Sequence, residues 1–231
     1  MTSKFRSSAL RTISLEAASV AAMSNQIDTR FDAACEILLA CKGRVVLTGM
    51  GKSGHVANKI AATFASTGTP SFFVHPGEAS HGDLGMITKD DVVIAISSSG
   101  STHEVVTLLP LIKRLGIPLI AMTGKSDSAL ASAASVNLDI SVDREACPLN
   151  LAPTASTTVS VVLGDALAIA LLESRGFGVE DFAFSHPGGA LGRKLFLRVS
   201  DLMHLEHKVP RVLTSQSLQD ALMEMTAKGF G

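Results

Sequence analysis

The sequence predicts an α/β protein, a doubly wound three-layer sandwich built on a central parallel sheet of five strands. Three observations predict it. Short apolar runs rich in Val and Ile recur along the chain, each stops at glycine or small polar residues, and helix-compatible segments separate them. The run Val92-Val93-Ile94-Ala95-Ile96 is apolar at every position, as a strand covered on both faces must be.

Taken in order, residues 3–40 read as two helices, the first on Ile13, Ala17 and Val20, the second on Phe31, Cys35, Leu38 and Leu39. Strands follow at 44–48, 71–74, 91–97, 117–123 and 136–142. Helices fall between them at 53–66, 103–115 and 126–134, and a long apolar helix at 153–173 packs back on the sheet. Near the end of the chain, 217–228 has an amphipathic helical pattern. That last stretch, 199–231, is too short to bury a core of its own and reads as the beginning of a second domain.

Composition excludes several classes. The formal net charge of −1 at pH 7 gives no reason to expect nucleic acid or an anionic membrane as a partner. It has no Trp or Tyr to stack bases. The start of the chain carries Lys4, Arg6, Arg11 and Glu16 and lacks a secretory pattern, and no apolar stretch of ~20 residues is expected to span a membrane. Cys35, Cys41 and Cys147 lack metal-ligand spacing and read as reduced thiols of a cytoplasmic protein.

The chemistry concentrates in loops. Gly49, Gly51 and Gly54 fit G-x-G-x-x-G, but the second strand ends in His75-Pro76-Gly77 where a dinucleotide site needs a ribose-binding acid. A P-loop fails because Val46 stands where its first glycine belongs. The remaining ligand reading is a sugar-phosphate cradle, with Lys52 and backbone amides at a helix start. Ser97-Ser98-Ser99-Gly100-Ser101-Thr102 repeats the design after the third strand, placing hydroxyls and amides at another helix start. Glu145 follows the fifth strand at the edge where open α/β sheets bind ligands. His186 stands before Pro187-Gly188-Gly189 in a defined turn.

Together, Gly49-Met50-Gly51-Lys52-Ser53-Gly54, the segment from His75 through His81 to Gly85, Ser97-Ser98-Ser99-Gly100, Leu151-Ala152-Pro153-Thr154 and Ser185-His186-Pro187-Gly188-Gly189 resemble the arabinose-5-phosphate isomerases. These are sugar isomerase (SIS) domain enzymes that in bacteria usually carry a tandem pair of cystathionine-β-synthase (CBS) domains behind the SIS domain. The motifs occur in family order over about residues 5–231. Ser98 and Ser101 replace an amide and an acid common in the family's serine loop, which should shift hydrogen bonds and preserve phosphate binding.

The resemblance implies a SIS domain over 1–198, with its core at about 35–177, and an incomplete first CBS domain over 199–231 that supplies no regulation. It implies interconversion of D-arabinose 5-phosphate and D-ribulose 5-phosphate through an enediol, feeding the eight-carbon sugar of lipopolysaccharide. The alternative is a non-catalytic sugar-phosphate sensor. By motif, the catalytic roles fall on Lys52, Glu104, Glu145 and His186, with either glutamate as the base. Substrate contacts fall on Gly51, Ser53, Gly68, Thr69, His75, His81, Ser97, Ser99, Ser101 and Thr102. The resemblance also implies a homotetramer, no required cofactor and an inhibitory zinc ion on His75. Neither nucleic acid nor membrane is an expected partner.

Overall fold

A computed structural model describes residues 3–186, 188, 194–195 and 198–229. It divides into two compact units, 1–185 and 186–231.

The first unit opens with α1 (Lys4–Met23) and α2 (Thr29–Leu39). It then alternates β1 (Val45–Gly49), α3 (Lys52–Ser66), β2 (Ser71–Val74), α4 (Pro76–Ala79), β3 (Val92–Ile96), α5 (His103–Val106), α6 (Leu109–Leu115), β4 (Leu119–Thr123), α7 (Ala129–Ala133) and β5 (Val136–Asp139). The helices α8 (Ala155–Arg175) and α9 (Val179–Ser185) follow. The strands form one sheet in the order β2-β1-β3-β4-β5, and every pairing is parallel. The chain leaves β1 toward one edge and returns to β3 on the other side. The carboxyl ends of β1 and β3 therefore flank the topological switch point, where such sheets bind ligands.

The sheet is buried on both faces. Val45, Leu47, Ile94, Ile96, Ile120 and Met122 pack with α2, α3 and α8, while Val46, Val93, Ala95, Leu119 and Ala121 pack with the helices α4–α7. Alternate residues of each strand thus serve opposite layers, which is why the sequence runs lack a polar face. On the first layer α1 lies along α8, where the Thr158 hydroxyl donates to Glu16 Oε2 at 2.9 Å. Phe5, Leu10 and Ile13 of α1 stay exposed. All three cysteines are free.

Two sequence expectations change. The single helix expected over 103–115 is two, α5 and α6, because Pro110 has no N–H to bond back to the turn before it. The helix α8 is, by length and composition, apolar enough to cross a membrane, contrary to the expectation that no segment is. Its apolar residues Val159, Leu163, Leu167 and Leu171 are buried against the sheet layer, as in a core helix.

In the second unit Ser217 and Asp220 form a reciprocal capping box that starts the helix Leu218–Lys228. None of that helix's residues is buried.

The turn from β1 into α3 depends on Gly54. A Cβ there would lie 2.5 Å from the Gly49 carbonyl oxygen, so α3 can sit this close to β1 only with a bare Cα. Gly54→Ala is expected to cost about 1–3 kcal/mol in a urea titration, the range for overpacking a tight contact.

Candidate active site

At the carboxyl edge of the sheet, loops from β1, β3, β4 and β5 and the start of α8 enclose a cavity of about 420 Å³. Its lining includes Ser53, Ser98, Ser99, Thr102, Lys125, Glu145, Asn150, Ser156 and Thr157. A larger cavity, about 650 Å³, lies by α6 and α7. Its lining, mainly Val106, Leu109, Pro110, Ile112, Ile117 and Leu119 with Lys113, holds no carboxylate or imidazole. The polar cavity is the site that can do acid–base chemistry.

One wall is the serine loop. Ser97 is buried and structural: its Oγ lies 2.9 Å from the Thr102 hydroxyl and accepts the Gly100 N–H at 3.1 Å. Those bonds fix the loop that presents Ser98, Ser99 and Thr102 to the cavity. The Ser101 hydroxyl and N–H both donate to Ser99 Oγ, at 3.2 and 3.3 Å. Lys125 enters from the loop after β4, held by its N–H donating to Thr123 Oγ1 at 3.2 Å and its carbonyl accepting from Ser128 Oγ at 2.7 Å. Hydroxyls, amides and an ammonium facing one space favour a phosphate.

Glu145 also lines the cavity. Its Oε2 accepts the N–H and hydroxyl of Thr154 at 2.7 and 2.8 Å and the N–H of Ser156 at 3.3 Å. These groups form the amino end of α8, whose dipole also favours a negative charge. Partial burial pushes the Glu145 carboxyl up, but the hydrogen bonds from Ser156 and Thr154 outweigh it and hold the group below the ordinary carboxylate value. The N–H and hydroxyl of Thr154 and the N–H of Ser156 all go to Oε2, which leaves Oε1 toward the cavity. Asn150, in a left-handed conformation (φ 55°), steadies the loop by accepting the Glu145 N–H on its side-chain oxygen at 2.7 Å.

The other expected residues are placed as follows. Gly51 caps α3 and Lys52, exposed, is its first residue, beside the cavity-lining Ser53. Glu104 is half-buried in the first turn of α5. Lys52 and Glu104 share the carboxyl edge with the cavity without lining it. His75 follows β2 and accepts the Gly77 N–H on Nδ1 at 3.2 Å, and His81 is exposed five residues after Pro76. Among the described residues no three His, Cys, Asp or Glu side chains converge as a metal site, so His75 has no assembled ligand set around it.

Gly68 and Thr69 precede β2 and therefore lie at the other end of the sheet, away from this cavity. Thr69 is buried and its hydroxyl accepts from the Arg175 guanidinium, while the ring of Phe177 covers Gly68. In this chain they join the end of α8 to the sheet. His186 is half-buried at the start of the second unit; Pro187 and Gly189 of its motif lie outside the described residues.

Sequence reasoning missed Lys125 and Asn150. The signal for Lys125 was available, since Gly124-Lys125-Ser126 after β4 repeats Gly51-Lys52-Ser53 after β1.

Residues 38–170, more than half the chain, match the SIS domain family. The chain belongs to the SIS domain family. Among similar proteins, arabinose 5-phosphate isomerase KdsD of Pseudomonas aeruginosa PAO1 is 70% identical over 227 residues, covering 98% of this chain and 70% of the relative. The protein of the same name from Escherichia coli O157:H7 is 58% identical over 227 residues, covering 98% and 69%. An E. coli CFT073 protein solved in complex with arabinose 5-phosphate superposes with a TM-score of 0.77 at 45% identity, over 80% of this chain and all of that one. The cavity of this SIS domain accordingly lies between its serine loop and the amino end of α8.

If Lys125 supplies the cation facing the serine hydroxyls, Lys125→Ala weakens binding of inorganic phosphate about tenfold, the order of one charge-assisted hydrogen bond. Lys125→Arg retains most of it. Isothermal titration reads both.

Proposed function

We propose that this chain interconverts D-arabinose 5-phosphate and D-ribulose 5-phosphate. The observation that carries this is the pairing, in one cavity, of a hydroxyl and lysine cluster suited to a phosphate with a single carboxylate held ionised and open on one oxygen. The high identity to relatives named for this reaction supports the same reading. It does not favour the sensor alternative, which needs no poised carboxylate.

The serine loop and Lys125 hold the phosphate, and the open-chain sugar extends toward Glu145. Glu145 Oε1 takes the proton from C2 and returns it to C1, while a proton moves from the C2 hydroxyl to the C1 oxygen. The product has the same atoms and oxidation level overall, so the reaction calls for no redox cofactor. Lys52, at the start of α3, is suited to steady the enediolate charge. By resemblance, His186 is the residue expected to pass the ring-hydroxyl proton during opening. Glu104 is the second carboxylate on the edge, and the geometry favours Glu145 over it as the base.

The finer parts of the reading are a cytoplasmic homotetramer, a place before the eight-carbon sugar of lipopolysaccharide, zinc inhibition through His75, and a CBS segment over 199–231. Sedimentation of the chain addresses the tetramer, and sugar isomerisation assays with and without chelator address the zinc.

Glu145→Gln is expected to lower kcat for arabinose 5-phosphate by about 10²–10⁴-fold, the usual size of a lost general base. Glu104→Gln should cost less. Near-normal turnover by both variants would overturn the carboxylate scheme.

Ionised Glu145 also adds stability. Because its folded pKa is lowered, that contribution is full above the ordinary carboxylate pKa and is lost as pH falls through the folded value. The melting-temperature gap between the protein and Glu145→Gln should therefore be wider at pH 7 than at pH 3.

A further inference from the structure

Thr154 stands at the position that begins α8, where a threonine oxygen ordinarily accepts an N–H of the first helical turn. Here it does not. Its hydroxyl hydrogen goes to Glu145 Oε2 at 2.8 Å, and its oxygen accepts the Ala146 N–H at 2.8 Å. The helix amides are met by the carboxylate instead, through the N–H groups of Thr154 and Ser156. Thr154 thus gives its capping role to Glu145 and uses its hydroxyl as a bridge that ties the carboxylate to the backbone one residue further on.

We infer that Thr154 is a positioning residue for the reaction, which locks Oε2 of Glu145 and leaves Oε1 as the one oxygen able to reach the sugar. The inference rests on the isomerase reading and adds to it a residue that does not touch substrate. A hydroxyl that both donates to the carboxylate and accepts from the neighbouring amide fixes the carboxylate in rotation as well as in place. The hydroxyl adds a third bond to Oε2 beside the two backbone N–H bonds, and each must stretch or break before the carboxylate turns about its Cγ–Cδ bond.

The bridge is one of the contacts that hold Glu145 ionised, beside the bonds from Ser156 and from the Thr154 N–H. Lys125 is the other charged side chain lining the cavity. Asp143 and Arg144, next to Glu145 in the chain, line a separate cavity beside α1. The amino end of α8 brings a dipole with no ionisable group in its first turn. Removing the hydroxyl therefore takes away a favourable contact to the charged form that no nearby cation replaces, so the carboxyl should rise toward its ordinary value.

The test compares Thr154→Val, which lacks the hydroxyl, with Thr154→Ser, which keeps it. Thr154→Val should move the acid limb of kcat/KM up by about one pH unit and lower kcat about tenfold, with KM within about twofold of the parent. Thr154→Ser should restore both. In parallel, the Glu145 side-chain carbon signal of glutamate-labelled protein, assigned by its loss in Glu145→Gln, should titrate higher in Thr154→Val. If Thr154→Val does not fold, Thr154→Ala makes the same comparison without a branched side chain.

An unmoved acid limb and carbon titration in a folded Thr154→Val or Thr154→Ala variant would overturn the inference. So would a Thr154→Ser variant as impaired as either. If the parent chain itself converts no arabinose 5-phosphate, the isomerase reading fails first, and the inference about catalysis fails with it. A parent that is active and lost in Glu145→Gln, beside an unaffected Thr154→Val, singles out the inference alone.

Discussion

The close approach of α3 to β1, made possible where the Gly49 carbonyl meets the bare Cα of Gly54, is the constraint on which the rest depends. It lets a helix begin directly off a strand in the middle of the fold, with its free amides at the switch point. The next helix inherits the placement. Gly164 of α8 lies against Ile60 of α3 with no room for a side chain, and Lys59 and Asp165 pair across the two helices at 2.5 Å. The amino end of α8, which anchors Glu145, is therefore fixed through two successive close contacts from the central sheet. The half-exposed ion pair adds little to stability by itself, and the packing carries the alignment.

The central strands β1, β3 and β4 were legible because both sheet faces are buried there, which makes them nearly continuous apolar runs. The loops after β1 and β3 were legible because glycine and serine are needed where backbone turns sharply at a helix start. The interior of the site was less so. Lys125 reaches the cavity only because β4 lies next to β3, and neighbour order in a sheet is not written in local sequence. Gly68 and Thr69 were placed in the site by resemblance, yet they sit at the start of β2 and not its end, a distinction of strand direction. The break at Pro110 is readable from the proline alone, against a helical period that runs on through it. The length and hydropathy of α8 are also in plain view; burial against α3 and the sheet explains why a helix so apolar belongs to a core.

The cavity divides its labour by charge. Ser98, Ser99, Thr102 and Lys125 come from the loops after β3 and β4, and the carboxylate of Glu145 comes from the loop after β5, bonded to the start of α8. A site that must hold a dianionic phosphate and an anionic base together needs that separation, because the two would otherwise repel across a partly desolvated space. The helix dipole of α8 and three hydrogen bonds keep Glu145 charged without a lysine beside it, leaving the ammonium of Lys125 for the phosphate. Neither group has to neutralise the other.

The asymmetry of Glu145, with one oxygen tied down and one open, bears on stereochemistry. D-Ribulose 5-phosphate is prochiral at C2, and a proton delivered to one face of its enediol gives D-arabinose 5-phosphate, while delivery to the other gives the C2 epimer D-ribose 5-phosphate. A carboxylate that cannot swing presents its base to one face only. Which face of the enediol is turned toward Glu145 would then decide which of two epimeric aldoses leaves the cavity.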